Sequence, residues 1–195
     1  MDLPVVNNAE FAEAQVEYRD LEGFLAAVER RAFLMAKVAL GNDNDALDIV
    51  QDTMLVMVRK YQNKPSDEWR PLFFRVLQNR IRDLYRYRKV RSRFAGWLGS
   101  SFDEEDGSDP FQRVADVPTN NPAVALESQR SMEAVSTAVA ALPRRQQEAF
   151  MLRCWEGLST ADTATAMGCS EGSVKTHYFR ALQALQEALK EHYHG

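Results

Sequence analysis

The sequence predicts an all-α protein: two helical domains joined by an acidic flexible linker, the C-terminal one a four-helix unit with a helix-turn-helix. Apolar residues recur three and four apart through both halves of the chain, the spacing of one helix face. Capping residues and helix stops punctuate those stretches, as at Gly41-Asn42-Asp43-Asn44 and Gly168-Cys169-Ser170. Between Phe94 and Asn121 the composition changes to Gly, Ser, Asp and Pro around the run Asp103-Glu104-Glu105-Asp106, which cannot build a core of its own. The domains so defined are 21–93 and 122–192, with a loose polar arm over 1–20 and the linker over 94–121.

A chain of 195 residues has room for one large or two small domains. No apolar run approaches the roughly 20 residues that span a bilayer. The opening MDLPVVNNAEFAEAQ has neither the basic start nor the apolar centre of a signal peptide, so a cytoplasmic location is expected with no membrane insertion. Cys154 and Cys169 are the only cysteines, which excludes a disulfide framework and a CxxC metal knuckle. Both read as small buried residues. The net charge of −4 is unevenly distributed. Residues 1–68 carry 7 basic and 13 acidic side chains, 69–93 carry 9 and 1, 94–143 carry 2 and 8, and 144–195 carry 6 and 6. One dense basic segment between acidic ones suits a single nucleic-acid-facing helix.

The first helix runs from about Asp20 to Leu40, with Leu21, Phe24, Leu25, Val28, Ala32 and Met35 on one side. The second, about Asp45 to Tyr61, has a core stripe of Leu47, Val50, Met54, Met57, Val58 and Tyr61. Asp48, Gln51, Asp52 and Leu55 stand at i, i+3, i+4 and i+7 on another side, an acidic ridge with one exposed leucine. Such a ridge is either a solvated face or a dock for a partner helix carrying arginines, which carboxylates bind bidentately.

Gln62 to Pro71 reads as a loop with an isolated Trp69. A helix from Leu72 to about Arg91 then buries Phe73, Val76, Leu77, Ile81 and Leu84. Arg75, Asn79, Arg82, Asp83 and Arg86 line its opposite face, and Tyr85, Tyr87, Arg88, Lys89, Arg91 and Arg93 extend the basic, aromatic character. Asn and Arg on a rigid helix can bond base edges and phosphates, and tyrosines offer stacking surfaces for unpaired bases. The plain alternative is a solvated basic face. In the linker, Trp97, Leu98, Phe102 and Phe111 are expected to anchor to a surface.

Pro122 opens a helix to about Ala141, with Val124, Glu127, Met132, Val135 and Val139 at helical spacing. A second begins with Pro143 at its first position and runs to Glu156, with Phe150, Met151 and Cys154 inward and Gly157 as cap. Ser159 then caps a short helix, Asp162 completing a capping box and Ala161, Ala164 and Met167 facing inward, before Gly168 ends it. From Ser170 a long helix presents Val174, Tyr178, Ala181, Leu182, Leu185 and Leu189 on one face. Ser173, Thr176 and Arg180 point the other way, with Lys175, His177 and Phe179 on the flanks. This is the layout of a helix-turn-helix for the DNA major groove, although an ordinary αα-hairpin shares it.

These segments resemble the bacterial RNA polymerase sigma factors of the extracytoplasmic-function type. LPRRQQEAFMLRCWEGLSTADTATAMGCSEGSVKTHYFRAL is similar to the family's fourth domain, DALDIVQDTMLVMVRKY to the helix that binds the polymerase clamp, and FFRVLQNRIRDLYRYRK to the helix reading the −10 element. The likeness covers about Leu21 to Leu189. Departures are Asp162-Thr163-Ala164 for the usual Glu-Ile-Ala, Phe73 for a common Trp, Asp83 for the second of two asparagines, and His177 for a common arginine.

The resemblance implies a non-enzymatic initiation factor that binds core RNA polymerase and promoter DNA, recognises −35 and −10 elements and promotes strand opening. By position, Asp48, Gln51, Asp52 and Leu55 would meet the clamp. Arg75, Asn79, Arg82, Asp83 and Arg86 would face the −10 element, with Lys64, Asp67 and Trp69 in a loop holding a flipped-out base. Lys175, Thr176, His177, Phe179 and Arg180 would serve the −35 element, with Ser173 near a phosphate. An anti-sigma factor covering both the ridge and the recognition helix is a further expected partner. A stand-alone helix-turn-helix regulator is the alternative, disfavoured because the last block of sequence is electrically neutral. No Gly-rich phosphate loop, HExxH, nucleophile elbow or metal-spaced cluster supports an enzyme, a cofactor or a metal site, and His192 and His194 fall in the expected frayed tail.

Overall fold

The computed structural model describes residues 20–98 and 133–190, without the side chains of 92–98. These residues are helical and fall into two compact units. The N-terminal arm, most of the linker with Phe102 and Phe111, the side chains of Trp97 and Leu98, the positions Val124, Glu127 and Met132, and the tail histidines lie outside the described residues.

The first unit packs three helices pairwise: α1 (Leu21–Leu40), α2 (Asp43–Tyr61) and α3 (Ser66–Leu98). Asp20 caps α1 by accepting from the Gly23 amide at 2.8 Å, and Gly41 ends it at φ 69°, a left-handed position that costs glycine nothing. Asn42 starts α2 in the same way, accepting from the Asp45 amide at 3.0 Å. Inward-facing Phe24, Leu25, Val28, Ala32 and Met35 follow the expected pattern.

In α2 the buried stripe is rotated from the expected one. Ala46, Ile49, Val50, Thr53 and Met57 are buried, whereas Leu47 and Val58 are exposed and Met54 and Tyr61 half-buried. Small Ala46 and Thr53 let α2 approach its neighbours closely, and the Thr53 hydroxyl is satisfied by the Ile49 carbonyl at 2.7 Å.

Helix α3 is longer than expected at both ends. It begins at Ser66, so 66–71 are helix rather than loop, and it continues through 94–98, which are helix rather than linker. Pro71 removes one backbone donor. That loss is offset because Trp69, Phe73 and Leu77, at i, i+4 and i+8, carry one buried stripe across it. Phe24 packs against Trp69 and Phe73 with ring centroids 6.0 and 5.9 Å apart, and Phe73 meets Phe74 edge-on at 5.3 Å. Phe74, absent from the expected core, is fully buried; Val76 and Leu84 are half-buried.

The second unit comprises helical residues 133–140 (α4), α5 (Arg144–Phe150), α6 (Thr160–Met167) and α7 (Glu171–Leu189). In α4, Val139 is fully buried and Val135 half-buried. Pro143 is the residue preceding α5 rather than its first member. After Phe150 the helix widens into a π turn, Met151–Trp155, in which the Glu156 amide reaches back to the Met151 carbonyl at 3.1 Å. The expected regular helix therefore ends in a different winding, which leaves Cys154 half-buried. Gly157 follows at φ 61°.

Ser159 caps α6 and also donates to the Asp162 carboxylate at 2.6 Å. Gly168 ends the helix at φ 63°, and Ser170 caps α7. Thr163, Ala164, Ala166 and Met167 are buried in α6, while Ala161, expected inside, is exposed. In α7 Val174, Ala181 and Leu185 are buried, but Leu182 is exposed. Both exceptions lie at the border of the apolar stripe, where the packing partner decides. Among the described residues no helix is long and apolar enough to cross a membrane.

Candidate functional site

Three surfaces gather the residues singled out above. On α2, Asp48, Gln51, Asp52 and Leu55 are all exposed, with Leu55 at 49 %. Leu47 and Val58, expected in the core, stand at 44 and 46 % and join this side. Positions 47, 51, 55 and 58 form one helical stripe, so the ridge has an apolar line flanked by carboxylates. Sequence spacing missed this because Leu and Val at helical spacing ordinarily mean core. Asp52 is already in weak contact with Arg80 of α3, at 3.6 Å.

On α3, Arg75, Asn79, Asp83 and Arg86 are exposed, and Arg82 is half-buried. The face is internally ordered: Arg82 donates to Asn79 Oδ1 at 2.7 Å and, through Nε, to the Gln78 carbonyl at 3.2 Å. Arg86 lies 3.5 Å from Asp83, so the one acid of the stretch is partly neutralised by its own helix.

Two residues expected to extend this surface serve another purpose. Tyr85 donates to the Ala39 carbonyl, and Arg88 donates to the Leu40 carbonyl and pairs with Asp45. Both continue the inward stripe from Ile81, at i+4 and i+7, and so tie the basic helix to the α1–α2 corner. Tyr87 and Val90 remain on the outside, 63 and 53 % exposed.

The expected base-holding loop is corrected in part. Lys64 and Asp67 are exposed, Lys64 being 3.1 Å from Glu68. Trp69, however, is a core residue of the first turns of α3, packed on Phe24 and only 6 % exposed. Among the described residues its indole N–H has no hydrogen-bond partner.

On α7, Lys175, Thr176, Phe179 and Arg180 are exposed, Phe179 at 60 %, while Ser173 and His177 are half-buried. Ser173 belongs to the cap: its amide donates to Ser170 Oγ at 3.2 Å and its hydroxyl lies 2.9 Å from the same atom. The Thr176 hydroxyl donates to the Gly172 carbonyl at 3.0 Å, so its hydrogen is spent inside the helix.

Partial burial, then Arg145 and then Arg180 push the His177 imidazole below its ordinary pKa. Arg145 was not singled out in the sequence, although Leu-Pro-Arg-Arg at the head of α5 carries it. Its guanidinium donates to the Met167 carbonyl at the end of α6 at 2.9 Å and to Glu148 Oε2 at 3.0 Å. Arg153 holds the Leu158 carbonyl, and its guanidinium lies over the Tyr178 ring at 5.9 Å. Among the described residues no group of three or more His, Cys, Asp or Glu side chains could hold a metal.

Residues 132–185 match the family described as sigma-70, region 4, a span that contains the whole helix-turn-helix. The chain is 30 % identical over 167 residues to the ECF RNA polymerase sigma factor SigF of Caulobacter vibrioides, covering 85 % of this chain and 82 % of that one. It is 29 % identical over 170 residues to the RNA polymerase sigma factor NccH of Alcaligenes xylosoxydans xylosoxydans, 86 % of each. Among solved structures, the sigma factor RpoE, crystallised with the anti-sigma factor NepR from Bartonella quintana, superposes with a TM-score of 0.62 at 25 % identity over 89 % of this chain and 98 % of that one. Likeness over both helical units, with the helix-turn-helix inside the matched region, establishes that this chain belongs to the extracytoplasmic-function RNA polymerase sigma factors and acts in transcription initiation.

Proposed function

We propose that residues 21–93 act as sigma domain 2 and residues 122–192 as sigma domain 4, recognising the −10 and −35 promoter elements respectively. The observation that carries this reading is the pair of exposed surfaces on the first unit: the apolar-centred acidic ridge of α2 and the ordered Asn/Arg face of α3. Asp48, Gln51, Asp52 and Leu55 dock on core RNA polymerase, the leucine supplying buried area and the carboxylates receiving cationic groups. Leu47 and Val58 widen that contact.

Arg75, Asn79, Arg82, Asp83 and Arg86 face the −10 element, while Lys64 and Asp67 flank an extruded base. Trp69 supports that site from beneath through packing. Extruding a base costs a few kcal/mol, which the protein must return through contacts to the open strand. On α7, Lys175 and Arg180 bond guanine edges or phosphates, Thr176 and Phe179 touch thymine methyl groups, and Ser173 sits near a phosphate. An anti-sigma factor is a further proposed partner; the similar RpoE of Bartonella quintana is seen bound to one.

The test is capture of purified core polymerase followed by transcription from a genomic library. The wild-type chain is expected to be retained and to start transcripts at defined sites. Reversing Asp48 and Asp52 to Arg should cost about 2–5 kcal/mol of core binding. Unchanged retention of that variant would remove the ridge from the interface.

A further inference from the structure

An ion pair joins the two surfaces of the first unit. Asp52 stands on the acidic ridge of α2, and its carboxylate lies 3.6 Å from the Arg80 guanidinium of α3. Arg80 follows Asn79 directly and precedes Asp83 by three positions. It therefore flanks the Asn/Arg face of α3 on the side that meets α2.

Asp45 and Arg88 tie the same two helices more firmly. They stand seven positions earlier on α2 and eight later on α3, and Arg88 also holds the Leu40 carbonyl. Their side chains are 30 and 32 % exposed, against 56 and 43 % for Asp52 and Arg80. The Asp52–Arg80 pair is also longer than the about 2.7–2.9 Å of a charge-assisted hydrogen bond. Among the described residues Arg80 makes no other polar contact, so its release strands no buried group. Asp83, the one acid of its stretch, is already beside Arg86. The inner pair holds the helices together, and the outer pair is free to exchange partners.

We propose that Arg80 is a further phosphate-binding residue of the −10 surface, shared with the polymerase dock through Asp52. The proposal rests on the readings of α2 as the dock and α3 as the −10 face. In the free chain the Asp52 and Arg80 charges satisfy each other. Docking gives Asp52 a cation of the polymerase, and Arg80 turns to a phosphodiester of the open strand, which a guanidinium binds bidentately. Either event alone breaks the pair, and both together break it only once. Polymerase and promoter strand therefore favour each other's binding reciprocally, by the strength of one exposed ion pair, a factor of about 1.5–5.

The test is a thermodynamic cycle on the full-length protein, with core polymerase and a single-stranded oligonucleotide bearing the −10 element its own holoenzyme selects. Read by fluorescence anisotropy, free Asp52→Asn should bind the oligonucleotide about 1.5–5-fold more tightly than wild type. In the Arg80→Gln background that gain should fall to the general effect of one lost negative charge, which Asp48→Asn measures. In the holoenzyme Arg80→Gln should weaken oligonucleotide binding and make its salt slope shallower by about 0.7, one phosphate contact fewer. The factor by which the oligonucleotide strengthens core binding should shrink by about 1.5–5 in Asp52→Asn and in Arg80→Gln alike. Arg80→Lys should retain part of that factor, with circular dichroism confirming the fold of each variant.

Equal coupling in wild type, Asp52→Asn and Arg80→Gln overturns the shared arginine while leaving the dock and the −10 face standing. So does an Asp52→Asn gain that is no larger than that of Asp48→Asn, or that survives undiminished in Arg80→Gln. Core retention unchanged by reversing Asp48 and Asp52 overturns the dock, and a holoenzyme with no preference for the −10 strand over a scrambled one overturns the α3 face. The shared arginine falls with either.

Discussion

Replacing Trp69 separates two roles that sequence and structure assign to it. In a loop it would touch a flipped-out base; in the fold it is only 6 % exposed, packed on Phe24. An indole of about 150–250 Å² returns about 4–6 kcal/mol when fully buried. Trp69→Ala keeps the methyl group and lets neighbours relax, so the expected cost is about 3–5 kcal/mol. For a unit of this size that is a fall in melting temperature on the order of 12–40 °C.

Trp69→Phe gives the contrast. It keeps an aromatic against Phe24 and removes an indole N–H that has no hydrogen-bond partner among the described residues, so part of the lost area is offset. A cost of about 1 kcal/mol or less is expected. Both variants should be followed by urea unfolding of the full chain and by binding to a forked promoter duplex in the holoenzyme. A stable Trp69→Ala protein that loses discrimination at one base of the open strand would refute the core assignment.

Other outcomes follow from individual contacts. Arg80→Gln frees Asp52 from an exposed pair worth about 0.2–1 kcal/mol, so core polymerase affinity measured without DNA should rise by a factor of roughly 1.5–5. Tyr85→Phe removes the hydroxyl that anchors α3 to the Ala39 carbonyl and should cost the first unit about 1–2 kcal/mol in denaturant titration. Gly168→Ala meets no atom within 4 Å, so its cost of about 1–2 kcal/mol comes from the left-handed backbone alone, read by calorimetry of the second unit. Burial, then Cys154, raise the Tyr178 phenol above its ordinary value of 10.0, with Arg153 opposing. That residue's stabilisation is present below about pH 10 and is lost as pH rises through the folded-state pKa, so Tyr178→Phe should flatten the alkaline fall in melting temperature.

Much of this protein is legible in local chemistry. The caps at Asp20, Asn42, Ser159 and Ser170 and the glycine stops at Gly41 and Gly168 depend on groups within a few residues of each other, so the chain itself determined where most helices begin and end. The face of α3 that carries Arg75, Asn79, Asp83 and Arg86 and the outward side of α7 follow from the 3.6-residue period in the same way.

Tertiary contacts decided the rest. Ser66–Pro71 is helical because Trp69 and Phe73 are buried together across a proline that composition alone reads as a break. Leu47 and Val58 face out because the neighbouring helices pack against Ala46, Ile49 and Thr53, and no period distinguishes two adjacent apolar stripes until a partner helix covers one. Tyr85 and Arg88 tie α3 to the α1–α2 corner through carbonyls and a carboxylate more than forty positions away. Arg145 reaches the last carbonyl of α6 across twenty-two. Helix ends and faces are set over one or two turns of chain, whereas the choice of which apolar side is covered, and which cation becomes an anchor, belongs to residues that only folding brings together.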